Sequence, residues 1–144
     1  MKRVEPIDSY AYKILRKKNY FIKEFYDKLI SKYNREDVCK LIKEFINLEL
    51  LNDRYLSEMK ICYFIHIKSY GKNYIYDYFD KKNISHNLIK CFLTKYNEDV
   101  FLNNIDNIID SLKNKSKSDE YIYMYLLRKG YEEDEIKKLI SFSL

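Results

Sequence analysis

Gly71, Gly130 and Pro6 are the only glycines and proline in a chain of 144 residues. A β-sandwich or barrel turns its chain every few residues, and those turns draw heavily on glycine and proline. The chain lacks the means to make many of them. Segments such as Tyr121-Ile122-Tyr123-Met124-Tyr125 are rich in strand-favouring residues, but periodicity points elsewhere. Apolar residues recur at helical spacing as Phe21, Phe25, Leu29; as Val38, Leu41, Ile42, Phe45; as Phe101, Ile105, Ile108, Ile109, Leu112; and as Ile136, Leu139, Ile140. An all-α fold is expected.

Side-chain oxygens that can accept from the free amides of a first helical turn mark the helix starts: Asp8, Asn34, Asn52 or Asp53, Ser85, Asn97 and Ser118. Glu98 and Asp99 after Asn97 suit the positive end of a helix dipole. About nine helices of roughly 8 to 18 residues result. Lys113 to Lys117 reads as the one flexible linker.

The helix order repeats. Phe25 and Leu29 have later counterparts in Ile75 and Phe79, and again in Ile122 and Leu126. A basic turn follows each pair, at Lys32-Tyr33, Lys82-Asn83 and Lys129-Gly130, and leads into an apolar helix beginning near Val38, Ile89 and Ile136. A further helix precedes each unit, near Ser9 to Lys17, Asp53 to Ser69 and Asp99 to Leu112. The chain thus reads as one domain of three three-helix repeats, at about 1–52, 53–97 and 98–144. Such units bury their apolar faces within themselves and against neighbours, so an elongated, curved body is expected.

Charge is uneven along these repeats. The first carries 12 Lys/Arg against 8 Asp/Glu, the second 8 against 4, and the third 7 against 10, within a net charge of +5. That balance does not by itself announce a nucleic-acid-binding protein: a basic face over the first two repeats would suit a polyanion or an acidic protein groove, but charge alone favours solvated helix faces with no partner. Cys39, Cys62 and Cys91 are odd in number, with no C-x-x-C pair, so a reducing compartment is expected rather than disulfides or zinc. Lys2 and Arg3 are followed by Glu5, Pro6 and Asp8 instead of an apolar stretch, which argues against a secretory signal. The longest apolar runs, Ile61 to Ile65 and Tyr121 to Leu127, are too short to span a bilayer. A cytoplasmic protein without membrane contact is expected.

No catalytic constellation emerges. His66 lies in an apolar run and His86 follows a cap, so neither is assigned a site role. Two glycines cannot build a phosphate-binding loop, and the acidic run Glu132 to Glu135 fits a helix N-terminus. No cofactor or metal is expected. The inventory suits recognition: lysines interleave with aromatics in Tyr12, Lys13, Arg16, Lys17, Lys18, Tyr20 and in Lys68, Tyr70, Lys72, Tyr74, Tyr76. The same mixture also covers ordinary helices, because lysine stems and tyrosine rings pack over apolar surface.

Ala11-Tyr12-Lys13-Ile14-Leu15-Arg16-Lys17-Lys18 and Phe21-Ile22-Lys23-Glu24-Phe25-Tyr26-Asp27-Lys28-Leu29 resemble the RecX family's Ala-x-x-x-Leu helix followed by Ser-x-x-Glu-Leu-x-x-Lys-Leu. Leu51-Asn52-Asp53-Arg54-Tyr55 resembles that family's Leu-x-Asp-x-x-Phe/Tyr junction, with one residue fewer between Asp53 and Tyr55. Gly71 with Ile75 and Phe79, and Leu126-Leu127-Arg128-Lys129-Gly130-Tyr131 with Ile136, carry the resemblance through nearly the whole chain. Phe21 stands where the family usually has Ser, Phe25 where it has Leu, and Asn83 where Gly is common.

The resemblance implies a non-enzymatic, monomeric regulator that binds the RecA nucleoprotein filament and limits ATP turnover and strand exchange, within DNA repair, recombination and the SOS response. The residues expected to meet the filament are Arg54, Lys60, Lys68, Lys72 and Tyr76, from the repeat with the fewest acids. The alternative is a basic helical protein that binds single- or double-stranded DNA directly; a weak DNA contact is compatible with either.

Overall fold

The computed structural model describes residues 5–140, and Lys2 and Arg3 lie outside them. Every regular element among the described residues is an α-helix: α1 (Ile7–Leu15), α2 (Ile22–Ile30), α3 (Arg35–Asn47), α4 (Asp53–His66), α5 (Lys72–Lys81), α6 (His86–Leu93), α7 (Glu98–Asn114), α8 (Asp119–Arg128) and α9 (Glu133–Lys137). The strand-favouring run at 121–125 is helical as part of α8. Burial decides this: Ile122 and Leu126 are fully buried while Met124, which a strand would put on the same face, is 52% exposed. α9, at five residues, falls below the expected length range.

Contacts divide the chain between Ser57 and Glu58 into two compact units. In the first, α2 and α1 pack on α3. Ala11, Ile14, Phe25, Leu29, Val38, Leu41, Phe45 and Leu51 form its core, where Phe45 stacks at a tilt against Phe25 (5.8 Å) and Tyr12 (5.0 Å). In the second, α5 packs on α6, α7 on α8, and α8 on α9. Helices this short are marginal in isolation. Burying each large apolar side chain contributes about 1.5–3 kcal/mol, so the core holds the helices. The positions repeated in sequence are those that are buried: Phe25, Leu29, Ile75, Phe79, Ile122 and Leu126, and after each turn Val38, Ile89 and Ile136.

Most helix starts follow local chemistry. Asn34, Asn97 and Ser118 accept from Asp37, Asp99 and Tyr121 amides, and Asn52 rather than Asp53 caps α4, by accepting from Tyr55 N–H at 3.0 Å. Ser85 occupies the N-cap of α6 without a side-chain cap bond. Asp8 is not a cap: Pro6 precedes α1, and Asp8 sits in its first turn, where its charge suits the dipole. The acidic run opens α9, with Glu135 accepting from Glu132 N–H at 3.0 Å. Phe21, in the N-cap position of α2, is fully buried, and Glu24 accepts its amide at 3.2 Å.

Lys113 to Lys117 is not a flexible linker. Lys113 and Asn114 are the last residues of α7, and Ser116 turns the chain at φ 61° so that Lys117 N–H reaches the Leu112 carbonyl at 3.0 Å. The same left-handed stop follows α3 at Glu49 (φ 60°), α4 at Ser69 (φ 55°), α5 at Asn83 (φ 58°) and α8 at Gly130 (φ 98°). With glycine scarce, side chains fill four of these positions, at a backbone cost of roughly 1–2 kcal/mol each and less for Asn.

The two glycines meet. Gly71 N–H donates to the Lys129 carbonyl at 2.8 Å, and Asn73 N–H to the Gly130 carbonyl at 3.0 Å. A Cβ on Gly71 would overlap the Gly130 carbonyl group, and one on Gly130 would overlap the backbone and Cβ of Tyr74. Gly130→Ala, which adds that overlap to an unfavourable φ, should cost about 2–4 kcal/mol in urea unfolding. Glu49→Gly should instead raise stability by up to about 1 kcal/mol.

Candidate partner-binding surface

The five residues nominated from sequence lie on α4, on α5 and in the turn between them. Arg54 is exposed in the first turn of α4 and belongs to the first unit; Lys60, Lys68, Lys72 and Tyr76 belong to the second. The half-buried Lys60 holds its ammonium 5.6 Å from the Tyr78 ring centre, and the exposed Lys68 holds its own 5.9 Å from Tyr63. Lys72, the first residue of α5, instead lies 5.2 Å from the Phe101 ring. Tyr76 stacks on His86 at 4.3 Å, and burial pushes its hydroxyl above the usual tyrosine range. The second unit thus sorts its four between surroundings: Lys60 and Lys68 beside tyrosines, Lys72 and Tyr76 against other rings.

Sequence reasoning named Tyr70 and Tyr74 but missed what gathers them, Phe64, buried on α4. Tyr70, Tyr74 and Tyr78 pack edge-on against it at 5.5, 5.9 and 4.8 Å. Tyr70 and Tyr74 stack at 3.7 Å, 14° from parallel. Their hydrogen bond, followed by burial, raises the Tyr74 pKa. Lysines surround these rings: Lys129 lies 4.8 Å from Tyr70 and 5.7 Å from Tyr125, and Lys82 lies 5.6 Å from Tyr78. The available signal was the spacing of Tyr74 and Tyr78 by four, which puts both on one face of α5, with Tyr70 in the turn before it.

The glycine contact fixes this ridge. Lys129 Nζ donates to the Lys68 carbonyl at 3.1 Å, and the Tyr131 hydroxyl donates to the Ser69 carbonyl. Tyr131 is buried, and burial holds its pKa well above the ordinary value. Ammonium groups over rings and exposed π faces can receive carboxylates, phosphates or flat groups.

In the first unit an open groove is lined by Ile22, Lys23, Tyr26, Cys39, Ile42, Lys43 and Asp53. Asp53 accepts from Ile22 N–H, the first amide of α2, at 2.8 Å. The junction aspartate is thereby a remote cap for α2, which explains why Asn52 takes the local capping role. His66 faces Tyr96 at 5.9 Å. Among the described residues, no group of three or more His, Cys, Asp and Glu is placed to hold a metal ion, and no helix is long and apolar enough to cross a membrane.

No family model matches the sequence, and no curated protein matches it. Its fold, however, is that of known structures. RecX from Lactobacillus salivarius aligns with a TM-score of 0.78 at 24% identity, covering 90% of this chain and 89% of that one. A second structure, of regulatory protein RecX, aligns with a TM-score of 0.74 at 16% identity, covering 97% of this chain and 80% of that one. The chain has the all-helical RecX fold.

Burial raises the Asp53 pKa, opposed by its bond from Ile22. A carboxyl whose folded pKa is raised favours folding when protonated; that contribution is present below its unfolded pKa and is lost as pH rises through the folded one. Asparagine keeps the acceptor and removes the charge. Asp53→Asn should therefore be more stable than the parent at about pH 7, and the difference should close toward about pH 3, in paired urea titrations.

Proposed function

We propose that this chain, built on the RecX fold, is a RecX-family regulator: a non-catalytic protein that binds the RecA nucleoprotein filament and limits its ATP hydrolysis and strand exchange in DNA repair and recombination. The observation that carries this reading is that the family-like motifs occupy defined places in a fold shared over nearly the whole chain. The junction Leu51-Asn52-Asp53-Arg54-Tyr55 opens α4 and caps α2, and Gly71 and Gly130 meet in the second unit.

In this reading the three repeats, at about 1–52, 53–97 and 98–144, act as one domain, monomeric, cytoplasmic and without a cofactor. Repeats that meet successive subunits of a polymer act together, since the second contact forms at high effective concentration. Contacts available only in the assembled filament favour it over free subunits. Arg54, Lys60, Lys68, Lys72 and Tyr76 contribute to the interface.

A second reading, direct DNA binding, is favoured by the Tyr70 and Tyr74 stack with Lys129 above it. Unpaired bases stack on such rings, and affinity then falls steeply with salt.

The deciding measurement is DNA-dependent ATP hydrolysis by RecA, titrated with this protein beside a bare-DNA binding control. The filament reading expects inhibition well below one protein per RecA subunit, without comparable affinity for DNA. Lys60→Glu, Lys68→Glu and Lys72→Glu together should weaken filament binding by about tenfold or more with helical circular dichroism unchanged. Unchanged hydrolysis with salt-sensitive DNA binding favours the second reading.

A further inference from the structure

α4 carries apolar residues on more than its buried face. Inward it buries Ile61, Phe64 and Ile65, while outward, in the second unit, it presents Met59, Tyr63 and, just past its end, Ile67, at 47%, 46% and 69% exposure. These recur every fourth residue and so form one continuous stripe; in sequence Tyr55 precedes them at the same interval. Apolar residues scattered singly over a surface are ordinary, but an aligned row is not. A helix apolar on opposite faces is normally covered on both.

The border of this stripe is positive. Lys60 and Lys68 lie beside it, their ammonium groups over the Tyr78 and Tyr63 rings. A ring face orients an ammonium without neutralising it. Glu58, the acid on the exposed side of the helix, is paired with Lys95 at 3.6 Å.

We propose that this stripe is a docking face for a helical segment of a partner protein whose apolar residues, at helical spacing, are bordered by aspartate or glutamate. The partner's apolar row covers Met59, Tyr63 and Ile67, where the flexible thioether adapts to the incoming side chains, and its acids meet Lys60 and Lys68. Nucleic acid fits poorly, because Met59 and Ile67 offer a phosphate backbone nothing. A second copy also fits poorly, since a two-fold pairing sets lysine border against lysine border.

This inference is independent of the RecA assignment, and its test contains no RecA. The probe is a labelled amphipathic helical peptide with leucines on one face bordered by glutamates, compared with the same peptide bordered by lysines, by fluorescence anisotropy against the full chain. The acidic peptide should bind at least about tenfold more tightly than the basic one. Met59→Ser, Tyr63→Ser and Ile67→Ser together should weaken it by about tenfold or more while leaving the helical circular dichroism unchanged, since none of the three belongs to the buried core. Lys60→Glu with Lys68→Glu should invert the preference between peptides. Equal binding of the two peptides, or undiminished binding by the triple serine variant, overturns the proposal. So does self-association, or oligonucleotide binding, that the triple variant abolishes, since either assigns the stripe to another occupant.

Discussion

Where Gly71 and Gly130 meet, two chain segments approach so closely that no side chain fits on either. Much of the second unit is arranged by that approach. It lets the Lys129 and Gly130 carbonyls accept amides from the start of α5, so the end of α8 supplies partners that a helix N-terminus otherwise lacks. It also brings Lys129 and Tyr131 to the turn after α4, where their side chains satisfy the Lys68 and Ser69 carbonyls. Tyr70 in the turn and Tyr74 and Tyr78 on α5 take their positions from this anchoring, and Lys129 reaches Tyr70 because of it. A backbone contact with no side chain of its own thus places the side chains most suited to recognition.

Features that depend on near neighbours in sequence were legible. Helical spacing located Phe25, Leu29, Ile75, Phe79, Ile122 and Leu126, all fully buried, because a residue's face follows from its phase along a helix. Asn34, Asn97 and Ser118 were legible as caps for the same reason, since a cap bond reaches only two or three residues ahead. Asp8 was misread because proline at the preceding N-cap shifts the start of the helix. Lys113 to Lys117 was misread because a charged, polar run resembles a linker, whereas Ser116 supplies a left-handed stop without glycine.

Features that join distant segments were not legible. The glycines were counted as breakers, while their shared role is a tertiary contact. Asp53 looked like a local cap and instead serves α2. Of the nominated surface, Lys72 and Tyr76 stand against Phe101 and His86, partners from other helices that no local spacing reveals. Phe64 gathers Tyr70, Tyr74 and Tyr78, and nothing in its own neighbourhood of sequence marks it as a hub.

Lysines resting on tyrosine faces have a further consequence. Lys18 and Lys28 flank Tyr20, Lys32 covers Tyr10, and Lys60 and Lys129 approach Tyr78 and Tyr70 in the same manner. A lysine committed to a carboxylate must surrender one ion pair before it can form another, and an approaching anion gains only the difference. A lysine on a ring is already held in place, and the ring does not cancel its charge, so an anion gains more there than where it must displace a carboxylate. Part of the entropic cost of ordering those long side chains has therefore been met in folding, before any partner arrives.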